Sequence, residues 1–197
     1  ESCLQRRGIP YQRFDDIAHE LVRHIVDGRI VGVFQGPMEF GERALGHRSI
    51  IADPRKASVK DKVNASIKYR EAYRPFAPAV PQDRVSEFFD TSPDFAAPYM
   101  EKVVPVRPEY RGALPAITHV DGSGRVQTVT ESEYPFFYQL LAEMDRQTGM
   151  PILLNTSFNI NGEPIVLSPD DAVSTFFNSG LEYLALGNIL IRKPGLA

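Results

Sequence analysis

Cysteine is nearly absent from this 197-residue sequence: Cys3 stands alone. A single thiol excludes an intrachain disulfide framework and a thiolate metal site, and it suits a reducing, cytoplasmic compartment. Long apolar runs are missing too. None approaches the roughly 20 residues of a membrane-spanning helix, and no signal-peptide pattern opens the chain. Neither sign of charge dominates, with 22 Lys and Arg against 25 Asp and Glu and a net charge of -3. Such a balance gives no global attraction to nucleic acid or anionic membrane, so any anion site must be local. There is no P-loop, because Gly36 to Gly41 runs into Glu42 and Arg43. A Gly-x-Ser-x-Gly elbow is lacking. His19 and His24 are five apart on one expected helix and do not share a face, which leaves no metal pair. The chain opens on Glu1 and a polar lead-in, which reads as a piece of something longer.

What is present is enough apolar residue, 43%, for one substantial core. Ile17, Leu21 and Ile25 predict a helix behind an acidic cap, with Gly28 as its stop, and Ile30 to Phe34 a buried strand. The turn-rich stretch from Gly36 to Gly46 predicts a charged loop. Val59, Val63 and Ile67 predict a helix that brings Lys68 and Arg70 to its C-terminal end, where Pro75 and Pro78 forbid continuation. Proline at 93, 98, 105, 108 and 115 predicts loops and short strands through the middle. Asp121-Gly-Ser-Gly124 predicts a hairpin between strands at 117–120 and 126–129. Pro135 to Gly149 predicts an amphipathic helix, Ile152 to Leu154 a strand, Ser168-Pro-Asp-Asp171 a capped helix, and Asn188 to Ile191 a last strand. This alternation predicts a mixed α/β (α+β) sheet flanked by helices.

Between Glu42 and Arg74 nine basic residues face four acids. Arg43, Arg48, Lys68, Arg70 and Arg74 sit near element ends, where they either converge on a phosphate or stay solvated as surface charges. Asn155-Thr-Ser-Phe-Asn159 follows a predicted strand and offers hydroxyl and amide groups to a ligand, or else forms an ordinary turn. His119 and Asp121 read as a hydrogen-bonded turn rather than an acid/base pair.

Taken together, Gln35 to Ile50, Ala52-Asp-Pro-Arg55, Lys68 to Pro78, Thr118-His-Val-Asp-Gly122 and Leu154 to Asn159 make the chain resemble the C-terminal domain of nodulation-type and antibiotic-tailoring O-carbamoyltransferases. The resemblance implies a YrdC-like domain over 30–197, with 1–29 as a lead-in and first helix on the interdomain side. It implies nucleotide and phosphate binding by Lys68, Arg70, Ser157 and Asn159, further phosphate contacts at Arg43, Arg74 and Arg125, Asn155 beside a carbamoyl group, and added donors at Arg48 and His119. It implies carbamoyl phosphate and ATP with Mg2+ as the small-molecule partners and no resident metal in this domain. Iron is expected only in a sugar-kinase-like N-terminal domain that these residues do not include. No membrane or nucleic acid is expected as a partner. Two positions depart from the family pattern: Pro37, and Glu42, which either repels phosphate or pairs with Arg43 or Arg48. The nearest alternative is a threonylcarbamoyl-adenylate synthase, which the long Gln35 to Ile50 motif argues against. A non-catalytic RNA-binding or scaffold domain is the alternative from another class.

Overall fold

The structure is a computed structural model that describes residues 1–69, 71 and 74–195. Periodicity sets the main helices. In α2 (Ile17–Val26), which follows the short α1 (Ser2–Arg6), the Asp16 carboxylate accepts from the His19 amide at 3.3 Å, and Ile17, Leu21, Val22 and Ile25 turn inward. The longest helix of the fold, α6 (Pro135–Thr148), starts on proline and ends at Gly149 in the left-handed conformation (φ 72), as its sequence predicts. Ser168 and Asp171 form a reciprocal capping box at the start of α7 (Pro169–Phe177). Shorter helices α3 (Ala57–Val63), α4 (Val85–Phe88) and α5 (Pro108–Arg111) complete the set.

Nine strands among the described residues make one mixed sheet: β1 (Gln12–Arg13), β2 (Val31–Phe34), β3 (Arg48–Ala52), β4 (Ala77–Pro81), β5 (Lys102–Pro105), β6 (Ser123–Val129), β7 (Leu153–Ser157), β8 (Tyr183–Leu186) and β9 (Ile189–Arg192). Their order is β1-β9-β8-β2-β3-β7-β4-β6-β5, with β2–β8 and β4–β6 parallel and the other pairs antiparallel. Alternation along each strand divides the core. Ile51, Ala79, Leu153 and Ala185 face α2 and α6, whereas Ile50, Val80, Leu154 and Leu184 face the side of α3 and α7. Each fully buried aliphatic side chain contributes roughly 1.5–3 kcal/mol. The expected mixed α/β architecture is therefore present. Residues 1–29 share it: β1 extends the sheet beside β9, Leu4 lies in one core and α2 covers the other.

Three expectations need correction. Residues 117–120 are not a strand, and β6 pairs with β5 and β4 instead of forming a local hairpin. The Ile117 and Thr118 amides bond back to the Leu114 carbonyl in a helical turn, so the apolar side chain of Ile117 reaches the core without a ladder. The proline-rich middle holds α4 and α5 as well as loops and one strand; Pro108 opens α5 as its first residue, where the missing N–H has no helical partner to lose. Finally, β7 continues past Leu154, so Asn155 and Ser157 lie within the strand rather than beyond it.

Glu182, immediately before β8, ties the layers together. Its buried carboxylate accepts from Arg29 at 2.8 Å, Lys62 at 2.6 Å and the Ile30 amide at 3.1 Å. Burial pushes its pKa up, but the hydrogen bonds from Lys62, Arg29 and the Ile30 amide outweigh it and the net shift is downward. A depressed folded pKa means stability present at neutral pH and lost as pH falls through that value. Glu182→Gln is expected to lower stability by about 1–3 kcal/mol at neutral pH, a modest figure because Arg29 and Lys62 are partly exposed. The gap between the two proteins should narrow in urea titrations below about pH 4. A constant gap across that range would remove the carboxylate from the account.

Candidate functional site

Beyond the N-terminal end of α6, one face of the sheet is polar and uncovered by helix. Parity places Asn155 and Ser157 on the same face as Leu153, and Arg125 and Gln127 on the same face as Val129. Between them β4 presents only Ala77 and Ala79, paired with Asn155 and Gln127 respectively, whose small side chains leave room. The cleft that results is lined by Arg43, Pro75, Met100, Arg125, Asn155 and Ser157, among others.

Its roof is the loop from Gln35 to His47. Buried Arg48 donates to the Gln35 carbonyl at 2.6 Å, Gly36 at 3.1 Å and His47 at 3.2 Å, and its guanidinium lies 3.5 Å from the centre of the Phe34 ring. Burial lowers its pKa. Arg48 thus joins the two ends of the loop and does not line the cleft. Glu39 does the complementary work, its Oε1 accepting from the amides of Leu45 (2.7 Å), His47 (2.8 Å) and Arg48 (3.2 Å). Gly46 needs its missing side chain twice over: φ is +127, and a Cβ there would come within 2.7 Å of the Phe137 ring. Glu39 was not singled out in the sequence, where nothing distinguishes it from a solvated acid.

Lys68 arrives by a different route. The expected helix ends at Val63 and passes into a π-type turn, Asn64–Lys68, closed by Tyr69 in the left-handed region (φ 45). Within this turn the Lys68 ammonium is buried at 5% exposure. It donates to Ser157 O (2.6 Å), Ser157 Oγ (3.2 Å), Asn159 O (3.0 Å) and Asn159 Oδ1 (2.7 Å). Ser157 Oγ also bonds Asn159 Oδ1 at 2.7 Å, and Asn159 Nδ2 donates to the Glu163 carbonyl at 2.6 Å. Three of the four residues paired by the resemblance therefore meet; the fourth, Arg70, lies outside the described residues. Met100, the other non-glycine residue of positive φ (59) among the described residues, also borders the cleft. Such backbone outliers collect where surrounding structure holds a site in one geometry.

The positive charges lining the cleft are Arg43 and Arg125, with Glu42 at its edge. Arg43 contacts Glu42 at 3.3 Å, an exposed pair. Glu42 thus pairs with Arg43, not with Arg48. The half-buried Arg125 guanidinium has no hydrogen bond or ion pair among the described residues. Its pKa is lowered by burial first and then by the neighbouring positive charge of Arg43, partly offset by Glu42. Two like charges converging on one cleft, one of them unneutralised, create a demand for an anion. Arg74 faces elsewhere, pairing with Glu71 at 3.0 Å on the surface. His119 and Asp121 form the expected turn, both bonded to the Ser123 hydroxyl at 3.0 and 2.7 Å. His119 Nε2 is buried without a partner, and burial depresses the imidazole pKa. No group of three or more His, Cys, Asp or Glu among the described residues is arranged to hold a metal ion. No helix among them is long and apolar enough to cross a membrane.

The fold and the cleft together define a mixed α/β domain with a small arginine-lined cleft at one end of its sheet. The chain belongs to the carbamoyltransferase C-terminus family, whose model matches residues 22–193. It is 49% identical over 188 residues to nodulation protein NolNO of Sinorhizobium fredii, covering 94% of this chain and 27% of that protein. It is 40% identical over 169 residues to the 3'-hydroxymethylcephem-O-carbamoyltransferase of Amycolatopsis lactamdurans, covering 86% of this chain and 32% of that protein. The chain thus spans about a quarter to a third of such relatives. Full-length HypF, solved in a phosphate- and nucleotide-bound form, superposes with a TM-score of 0.58 at 16% identity, over 93% of this chain and 22% of that one. That likeness shows the fold, in keeping with the YrdC-like architecture expected.

Proposed function

We propose that this domain activates a carbamoyl group for an O-carbamoyltransferase, taking carbamoyl phosphate and ATP to carbamoyl-adenylate. The observation that carries the reading is the unneutralised Arg125 guanidinium beside Arg43 in a cleft walled by Asn155 and Ser157. In the first step water adds to the carbonyl carbon of carbamoyl phosphate, the bridging C–O bond breaks with its electron pair going to phosphate, and the departing phosphate oxygens take up the protons of the water, leaving carbamate. Arg43 and Arg125 stabilise the charge that develops on it. In the second step a carbamate oxygen attacks the α-phosphorus of ATP and diphosphate departs, so no general base is needed. Lys68 holds the Ser157 to Asn159 strand end in place and supplies positive potential there, and Mg2+ enters with the triphosphate as part of the substrate. Arg70 and His119 are assigned to nucleotide binding and Arg48 to holding the roof of the cleft, while Arg74 would reach the nucleotide only by leaving its surface pair with Glu71. The activated product is then transferred to the hydroxyl of an acceptor substrate by a sugar-kinase-like, iron-bearing N-terminal domain of the same protein.

The test is exchange of labelled diphosphate into ATP by the full chain. Exchange that requires carbamoyl phosphate is expected. Exchange that requires threonine and bicarbonate would instead make the protein a threonylcarbamoyl-adenylate synthase. Steeply salt-dependent RNA binding without ATP binding would replace both readings with a binding module.

A further inference from the structure

Two backbone carbonyls determine how two buried side-chain amides are oriented, and the arrangement leaves one acceptor over. The Leu45 carbonyl can only accept, so Gln127 must present Nε2 to it, at 2.8 Å, and turn Oε1 toward β7. The Ala44 carbonyl can only accept as well. Asn155 therefore presents Nδ2, which reaches that carbonyl at 3.0 Å and Gln127 Oε1 at 2.7 Å. Both residues are sealed, Gln127 at 0% and Asn155 at 1% exposure, so neither amide can exchange these partners for water. Asn155 Oδ1 consequently has a set direction and no protein hydrogen bond, although it is buried and Asn155 borders the cleft.

An orphaned buried acceptor costs about 1–3 kcal/mol until something donates to it. The arginines that line the same cleft, Arg43 and Arg125, make no hydrogen bond to this oxygen and offer their charge to a phosphate. The cleft thus asks two things of one ligand: oxygens for the guanidiniums and an N–H for Asn155. We propose that Gln127 is the positioning residue through which this cleft selects an acyl phosphate carrying an N–H group over one carrying a methyl group. Gln127 lies behind Asn155; with the Ala44 carbonyl it opposes the flipped amide, in which Nδ2 would face the ligand, and of the two acceptors its Oε1 is the nearer. The proposal deepens the carbamoyl reading above and rests on it. Carbamoyl phosphate meets both demands, while acetyl phosphate, of nearly the same shape, leaves Oδ1 buried against a methyl group. Sites built to hydrogen-bond a ligand group reject the analogue lacking it for this reason.

The experiment is calorimetric titration of the full chain with carbamoyl phosphate, acetyl phosphate and inorganic phosphate, repeated on Gln127→Leu and on the length-matched Gln127→Met. The unaltered chain is expected to prefer carbamoyl over acetyl phosphate by roughly tenfold or more. In the variants that ratio is expected to fall, because the Ala44 carbonyl alone then holds the Asn155 amide and the flipped orientation becomes easier to reach. Inorganic phosphate titration reports whether the cleft remains formed, which a merely structural role for Gln127 would disturb together with the ratio. Equal affinity for the two acyl phosphates in the unaltered chain overturns the inference, as does an undiminished ratio in a variant that still binds inorganic phosphate. Selectivity without any carbamoyl-dependent exchange of diphosphate would overturn adenylate formation alone. Failure of the unaltered chain to bind any of the three overturns both.

Discussion

Lys68→Met is expected to lower carbamoyl-dependent exchange of diphosphate into ATP by at least about 10²–10³-fold, the loss typical when one preorganised electrostatic donor is removed. The reasoning starts from burial. An ammonium at 5% exposure survives only where oxygens replace its water, and here four do so, two carbonyls and two side-chain oxygens of Ser157 and Asn159. Methionine fills similar space but donates nothing. The stranded acceptors are then expected to destabilise the fold by about 3–5 kcal/mol, readable in urea unfolding. Lys68→Arg is expected to fail as well, because a planar fork does not fit four oxygens gathered around a point charge. Exchange at the original rate in a folded Lys68→Met protein would remove Lys68 from the site.

Arg125→Ala separates binding from stability in the opposite direction. Hydrogen bonds to charged groups contribute about 1.5–3 kcal/mol, so carbamoyl phosphate and inorganic phosphate are expected to bind roughly 10- to 150-fold more weakly. Stability is expected to hold or rise, since the variant deletes a half-buried charge that has no ion pair among the described residues and only partial compensation from Glu42, and relieves its repulsion with Arg43. Conversely, phosphate is expected to raise the melting temperature of the original protein and to have little effect on the variant. Weaker binding accompanied by an equal loss of stability would mark Arg125 as structural.

Much of this arrangement was legible in the chain because local rules govern it. Proline at the start and glycine at the end of α6, and the Ser168 and Asp171 box of α7, act within a few residues, and tertiary packing did not override them. The same rules misread 117–120, where Ile117 is buried by a turn rather than a ladder, and they passed over β4, whose prolines Pro78 and Pro81 conceal a strand. Glu39, Gln127 and Met100 gave no signal at all. A glutamate that caps a loop, a glutamine that orients an asparagine and a methionine in the left-handed region take their roles from partners far away in sequence. Arg48 shows the converse: its charge suggested a ligand, but its partners are carbonyls of its own loop.

The sequence by itself determined the residue types available for an anion, the helices that frame them and the family to which they point, because motif order and helical period are properties of neighbours along the chain. Only the tertiary structure decided which cation stays unpaired. Lys68 and Arg48 are both buried against protein oxygens, whereas Arg125 is not, and that difference arises from the order β7-β4-β6, which sets Asn155 and Gln127 side by side across the small residues of β4. Charge is written in the composition, but its neutralisation depends on what the fold brings within about 3 Å.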